Sequence, residues 1–140
     1  MTINHIAVDG FRNLDHVAID LHSHVTLIHG ENGSGKTSLL EVIYYMVYGR
    51  SFRTSSPLPI LQEGCDEMII RLLLQVQDRQ RHLAMSRGLQ SSQIRLDRAP
   101  VKKRSEIAIL LPVQFFDATT YRHLASGPSY RREFLDWGVF

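Results

Sequence analysis

Residues 30–37 carry the strongest chemical signal in this chain. They read Gly-Glu-Asn-Gly-Ser-Gly-Lys-Thr and fit the P-loop pattern G-x-x-x-x-G-K-[ST] at every defined position. Glycines let such a loop wrap so tightly that backbone N–H groups point at phosphate oxygens. We therefore predict a nucleoside triphosphate site formed by Gly30, Glu31, Asn32, Gly33, Ser34, Gly35, Lys36 and Thr37.

The end of this loop has two predicted roles. Lys36 should reach the β and γ phosphates, and the Thr37 hydroxyl should ligate magnesium. The apolar, β-branched run 25–29 predicts a buried strand that enters the loop, and 37–48 predicts an amphipathic helix that leaves it and stops at Gly49. The positive end of that helix dipole favours phosphate, so a nucleoside triphosphate with Mg²⁺ is the predicted ligand.

A P-loop alone does not hydrolyse ATP, because hydrolysis also needs a Walker B acid and a group that orients water. Residues 113–117 end an apolar run in Asp117 and imitate a Walker B motif, although Gln114 interrupts the run. Residues 124–128 weakly resemble the Leu-Ser-Gly-Gly-Gln signature of ABC-type ATPases, and a proline breaks the match. We favour a structural role for both segments and predict no catalytic residue.

The other candidate ligands and nucleophiles have ordinary structural explanations. His22 and His24 would share one strand face, but no third metal ligand has a suitable spacing. The single cysteine, Cys65, lacks a His or Asp arrangement that marks a nucleophile, and it is predicted to be an ordinary thiol in a turn beside Gly64. Packing rather than base stacking is predicted for Tyr44, Tyr45 and Tyr48.

Hydrophobic periodicity predicts the elements that must position the loop, and the fold class is α/β with an antiparallel subsheet. The remaining predicted strands cover residues 3–9, 17–21, 67–77, 81–86, 93–96 and 113–116. The remaining predicted helices cover residues 103–110, 121–124 and 130–137, with Pro128 between the last two and Ser129 as an N-cap.

Length and composition restrict the number of domains and the cellular compartment that we predict for the protein. A chain of 140 residues is long enough for one domain with one core. It has no apolar run near the roughly 20 residues that span a membrane, and no secretory signal is visible. A single cysteine suits a reducing compartment, so we predict that the protein is cytoplasmic.

Positive charge is concentrated in residues 79–104. This segment has eight basic residues and one acidic residue, although the net charge of the whole chain is only +2. A polyanion could bind it, and a pair of solvated, arginine-rich strands is the alternative interpretation. The basic residues are Arg79, Arg81, Arg87, Arg95, Arg98, Lys102, Lys103 and Arg104.

Three stretches resemble the RecF family, within the SMC/RecF class of ABC-type ATPases. Residues 11–14, Phe-Arg-Asn-Leu, resemble the opening of that class. Residues 30–54 resemble RecF, and their Gly-Arg-Ser-Phe-Arg tail is more specific than the P-loop itself. Residues 127–137 are similarly RecF-like, so the resemblance covers about all of the chain in the family's order.

This resemblance implies an ABC-type N-terminal lobe with a mixed core sheet. It implies a recombination mediator that binds ATP and single-stranded or gapped DNA and dimerises with ATP between its subunits. Such proteins act with RecO and RecR to load RecA, in replication-fork repair and the SOS response. For residues 1–140 alone, the expectation is weak ATP binding with little or no hydrolysis.

Particular residues follow from the same resemblance. Arg12 and Asn13 would lie near the nucleotide, and Gln114 would lie at the Q-loop and join Thr37 at the metal. RecF members commonly read Pro-Glu where this chain reads Asp-Ala at 117–118, which weakens the case for Asp117. RecF proteins are far longer, with their arm, signature, Walker B aspartate and catalytic glutamate beyond residue 140, so we expect a truncated lobe.

Two other classes of function stay open. The chain could be a self-contained P-loop phosphotransferase that uses Asp117 as its Walker B acid. It could also be a non-catalytic assembly module that docks a partner through its apolar end. Neither alternative accounts for the RecF-like stretches. The apolar residues at that end are Phe134, Leu135, Trp137, Val139 and Phe140.

Overall fold

The computed structural model describes residues 1–22, 24–54 and 60–116, together with Pro128 and Arg132. Within these ranges the chain forms six strands and two helices. In chain order they are β1 (Thr2–Phe11), β2 (Leu14–Asp20), α1 (Lys36–Tyr48), β3 (Glu67–Val76), β4 (Arg79–Gly88), β5 (Ser92–Leu96), β6 (Ala99–Pro100) and α2 (Arg104–Leu110).

The strands form one antiparallel sheet in the order β2-β1-β3-β4-β5-β6. β3 and β4 pair over ten residues, from Glu67 opposite Gly88 to Val76 opposite Arg79. Alternate residues of β3 face the core, because successive strand side chains point to opposite faces. This arrangement confirms the predicted antiparallel subsheet. The buried residues of that face in β1 and β3 are Ile6, Val8, Met68, Ile70, Leu72 and Leu74.

Helix α1 shares the core with this face of the sheet. Phe11 of β1 meets Tyr45 edge to face, with ring centroids 5.9 Å apart. The helix ends as predicted at Gly49, which has φ 66° and donates its N–H to the Tyr45 carbonyl at 2.8 Å. One hydrophobic cluster therefore joins the helix to the sheet.

The buried face of α1 departs from the predicted one at Leu40, which is 42% exposed. Ser38 and Glu41 are buried as well, because both find hydrogen-bond partners in the turn after β1. The predicted apolar face also has the half-buried Ile43 and three residues that are buried as predicted, which are Leu39, Met46 and Val47.

Two predicted strands are not formed. Residues 25–29 have no strand conformation, and Val25 and Leu27 are 82% and 83% exposed. A short apolar run becomes a strand only beside a partner that pairs with its backbone, and no described strand pairs with this run. Residues 113–116 are instead held through side chains, since the Tyr48 hydroxyl donates to the Val113 carbonyl at 2.7 Å.

The structure adds one element and confirms another. The predicted helix at 103–110 is present as α2, and β6 was not predicted. β5 and β6 are joined by Asp97 and Arg98, both with positive φ (48° and 72°). Such two-residue hairpin turns usually contain Asn-Gly or Asp-Gly, so the sequence signal was missing.

Most of the residues beyond 116 lie outside the described structure. They include the predicted helix at 121–124, nearly all of that at 130–137, Ser129 and the apolar residues 134–140. Pro128, predicted to separate two helices, is itself helical, as is Arg132. No helix in the described part is long and apolar enough to cross a membrane.

Candidate functional site

The P-loop is a tight turn that leads directly into α1. Gly33 and Gly35 have φ values of 83° and 97°, which glycine adopts without steric cost. Gly35 is the N-cap of α1, and a Cβ atom there would lie 2.7 Å from Cδ2 of Leu14. Glycine at this position therefore lets the loop lie directly against the start of β2.

The Lys36 side chain folds back onto the backbone of the loop. Its Nζ donates to the carbonyls of Gly30 and Glu31 at 2.8 and 2.7 Å. The ammonium group thus lies inside the loop, beside the N-terminus of α1, where unpaired N–H groups favour an anion. None of the described carboxylates forms an ion pair with Lys36.

Asn13 bridges the loop and the helix. Its Nδ2 donates to the Gly33 carbonyl at 2.8 Å, and its Oδ1 accepts from the Ser38 hydroxyl at 2.8 Å. The structure thus brings Asn13 against the P-loop, and its predicted contact with the nucleotide stays a prediction. Sequence reasoning missed Ser38.

Arg12 makes a bidentate ion pair with a residue that sequence reasoning missed. Its Nε and Nη2 donate to Oε2 and Oε1 of Glu41, both at 2.6 Å. The Glu41 side chain is fully buried and that of Arg12 is 15% exposed. The available signal was helical spacing, because Glu41 shares one face of α1 with Ser38 and Tyr45. A predicted role for Arg12 near the nucleotide stays a prediction.

Glu41 also reaches the loop after α1. The Ser51 hydroxyl donates to Glu41 Oε1 and accepts from the backbone N–H groups of Arg53 and Thr54 at 2.8 and 3.0 Å. Nη1 of Arg53 lies 3.6 Å from Glu41 Oε2. One buried carboxylate thus contacts segments on both sides of the helix.

The predicted magnesium ligands lie in different places. Thr37 is exposed in the first turn of α1, next to Lys36, and offers a hard oxygen ligand there. Gln114 is exposed between Val113, bonded to Tyr48, and Phe115, whose ring centroid is 6.2 Å from that of Tyr44. Tyr44 is about 10 Å along the helix axis from Thr37. Gln114 as a metal ligand therefore stays a prediction.

The other candidates have ordinary surroundings in the described structure. His22 and His24 are exposed, and they follow β2 rather than share a strand face. No group of three metal-ligating residues occurs among the described residues. Cys65 is a half-buried free thiol beside Gly64, as predicted. Asp117 lies outside the described residues. The tyrosines pack, with Tyr44 and Tyr48 centroids 4.4 Å apart.

The basic residues of 79–104, called here the basic strip, divide into two groups. Arg81 pairs with Asp97, Arg87 lies 5.9 Å over the Tyr45 ring, and Arg104 donates to a helix carbonyl. Burial lowers the pKa of Arg104. The other five are exposed, and they are Arg79, Arg95, Arg98, Lys102 and Lys103.

Comparison with known proteins identifies the family. The family model described as AAA domain matches residues 5–122. The chain belongs to this AAA domain family. It is 37% identical over 143 residues to the DNA replication and repair protein RecF of Photorhabdus laumondii and 34% identical over 141 residues to that of Shewanella amazonensis. Each alignment covers all of this chain, which spans 39% of the relative's length.

Solved structures agree with this AAA domain assignment. A structure of the recombination mediator protein RecF with ATPrS, from the RecFOR pathway, has a TM-score of 0.78 and 28% identity, over 96% of this chain and 37% of that one. The SMC head domain from Thermotoga maritima has a TM-score of 0.64 and 18% identity, over 79% and 42% of the two chains, and shows the fold alone. The predicted RecF resemblance and α/β fold are confirmed.

Proposed function

We propose that this chain is the N-terminal, ATP-binding lobe of a RecF-like DNA repair protein. The observation that carries the proposal is the position of Lys36, whose ammonium group is held inside a P-loop at the N-terminus of α1. This arrangement presents a fixed positive charge and helix N–H groups to one point, which is what a triphosphate requires.

Each residue of the site has a defined task in this proposal. Lys36 binds the β and γ phosphates, and the Thr37 hydroxyl holds the magnesium ion. The ion, when bound, neutralises phosphate charge. Asn13 binds the Gly33 carbonyl and so fixes the orientation of the peptide bond that follows Gly33. The loop is thus organised before ATP arrives, which lowers the entropic cost of binding.

We further propose that residues 1–140 bind ATP weakly and hydrolyse it little or not at all. In a RecF-like protein the Walker B acid and signature lie elsewhere, and the complete site forms when two subunits dimerise around ATP. ATP bound between two subunits would then control their dimerisation, and the single lobe would not hydrolyse it.

The proposed role in the cell is that of a cytoplasmic recombination mediator. The exposed cations of the basic strip are proposed to contact the phosphates of single-stranded or gapped DNA, in a salt-sensitive and sequence-independent way. The protein would act with RecO and RecR to load RecA, and its loss would affect replication-fork repair and the SOS response.

Calorimetric titration with Mg-ATP tests the nucleotide proposal. Lys36→Ala removes a cation that contacts phosphates, so the affinity should fall by about 10- to 100-fold. Lys102→Ala removes the same charge from the basic strip and should leave the affinity unchanged. Equal binding by the wild type and Lys36→Ala would overturn the proposal. ATP turnover that Lys36→Ala abolishes would contradict the absence of hydrolysis.

A further inference from the structure

Glu41 is a charged residue in the core of the structure. Its side chain is fully buried in the middle of α1. Burying a carboxylate is costly unless it is both paired and hydrogen-bonded. Glu41 meets both conditions through Arg12, Ser51 and Arg53, which come from two segments distant in sequence. Glu41 thus joins two segments through contacts that an apolar side chain could not make.

The first segment is the turn between β1 and β2. Arg12 has φ 52°, a conformation unfavourable for a residue with a Cβ atom. It is held there by the bidentate pair with Glu41 and by its N–H, which donates to the Ile60 carbonyl at 2.8 Å. Strained backbone persists only where surrounding contacts enforce it. Glu41 is therefore one of the groups that keep this turn in its conformation.

That turn in turn holds the P-loop. Asn13, next to Arg12, binds both the Gly33 carbonyl and the Ser38 hydroxyl. Ser38 and Glu41 are three residues apart on one face of α1, so the helix grips the turn at two neighbouring points. Without the Arg12–Glu41 pair, the side chains of α1 hold this turn only through the bond between Ser38 and Asn13.

The second segment is the loop 51–54. The Ser51 oxygen accepts two backbone N–H groups from Arg53 and Thr54 while its proton is donated to Glu41. Only a carboxylate can accept from the Arg12 guanidinium at both oxygens and from Ser51 at the same time. The arrangement therefore specifies glutamate rather than a neutral side chain.

We propose that Glu41 is a positioning residue for the nucleotide site. It does not touch the nucleotide. Through Arg12 it fixes Asn13 on the P-loop, and through Ser51 it fixes the loop that follows the helix. The nucleotide part of this inference rests on the proposed function of the P-loop.

Glu41→Gln tests the inference in the full 140-residue chain. The amide has the same shape but presents N–H donors to the Arg12 guanidinium, so the bidentate pair is lost. We expect the dissociation constant for Mg-ATP, measured by calorimetry, to rise about tenfold. Amide hydrogen exchange without nucleotide should quicken in residues 30–37 and 51–54 and stay unchanged in β3 and β4. Glu63→Gln makes the same chemical change at an exposed site and should alter neither.

A second variant keeps the test decisive if Glu41→Gln does not fold. The double variant Arg12→Met/Glu41→Leu replaces the pair with apolar side chains of similar size, a change that usually preserves stability. It should fold, and amide exchange in residues 30–37 without nucleotide should still be faster than in the wild type.

Three outcomes distinguish a failure of the positioning role of Glu41 from a failure of the proposed ATP site. Unchanged P-loop exchange and unchanged affinity in a folded variant would overturn the role of Glu41. Exchange that quickens uniformly over the whole chain would also overturn it, because a merely stabilising residue acts on all regions. If the wild type binds no ATP, the proposed function fails, while local quickening of the P-loop would still support Glu41 as its positioning residue.

Discussion

The P-loop side and the sheet side of this structure are held together by different forces. Around the P-loop, directional polar contacts from Asn13, Ser38 and Glu41 fix the backbone. Across β3 and β4, apolar side chains alternate with solvated ones, and the five exposed cations of the basic strip lie outside the core. From this difference we expect a conservative polar change to weaken the proposed nucleotide site of a folded protein, whereas the sheet side should respond mainly to lost apolar volume.

The largest expected effect is on the sheet side. Leu72 lies opposite Ile6 and Leu83 at the centre of the sheet and is 2% exposed. Leu72→Ala should lower the free energy of unfolding, measured in urea, by about 2–5 kcal/mol. Leu73→Ala, one residue along on the other face, should cost clearly less. Equal losses would break the comparison, because they would mean that burial on one face does not stabilise the sheet.

A smaller loss of stability is expected on the P-loop side, where two glycines have similar φ but different surroundings. Gly35→Ala adds a Cβ 2.7 Å from a Leu14 carbon, whereas a Cβ at Gly33 meets no atom within 4 Å. We expect losses of roughly 2–4 kcal/mol for Gly35→Ala and about 1–2 kcal/mol for Gly33→Ala in the same urea assay. A larger loss for Gly33→Ala would show that the contact with Leu14 does not set the position of the loop.

The basic strip should respond without any loss of stability. Arg98→Ala/Lys102→Ala/Lys103→Ala removes three exposed cations, so binding to a labelled single-stranded oligonucleotide should weaken. The slope of log K against log salt should become shallower by about 0.7 for each lost phosphate contact. Anisotropy titrations over a series of salt concentrations measure both. The exposed Arg50→Ala serves as a control, and an equal effect per charge there would mean that net charge alone attracts DNA.

The smallest expected effect concerns a polar network on the outer face of the sheet. Asp9 accepts from Nδ1 of His16 at 2.6 Å and from Nη1 of Arg71 at 2.8 Å. The bond to Asp9 raises the pKa of His16, and the bond to His16 lowers the pKa of Asp9. The His16 contribution is present at low pH and is lost as pH rises through its raised pKa. The Asp9 contribution is lost as pH falls through its lowered pKa, so the pair stabilises most at mildly acidic pH.

An NMR titration of the histidine rings measures this network. In Asp9→Asn the pKa of His16 should fall towards about 6.5, the ordinary value for histidine. Asp20→Asn, which removes the partner of His5 instead, should leave the pKa of His16 unchanged. A His16 pKa that does not respond to Asp9→Asn would show that this exposed pair is not formed in solution.

The same contrast explains what the sequence could predict. In residues 67–96 the pattern of apolar and polar residues reflects which side chains are buried. That pattern can be read from the sequence, so β3, β4 and β5 were predicted correctly. The P-loop was predicted because the backbone geometry of such a loop requires its glycines, and phosphate binding requires the charge of Lys36. Burial of Glu41 could not be predicted, since its partners Arg12 and Ser51 are brought together only by the fold. The run 25–29 has the residue types of a strand but no pairing partner among the described strands.

The most direct test of nucleotide binding is an amide NMR spectrum of the isotopically labelled chain, recorded with and without Mg-ATP. Binding at the P-loop predicts that the signals of residues 30–37 and Asn13 shift, while those of the basic strip do not. Shifts confined to residues 79–104 would mean that ATP binds merely as a polyanion. Either that result or the absence of any shift would mean that the P-loop is not a nucleotide site in this chain.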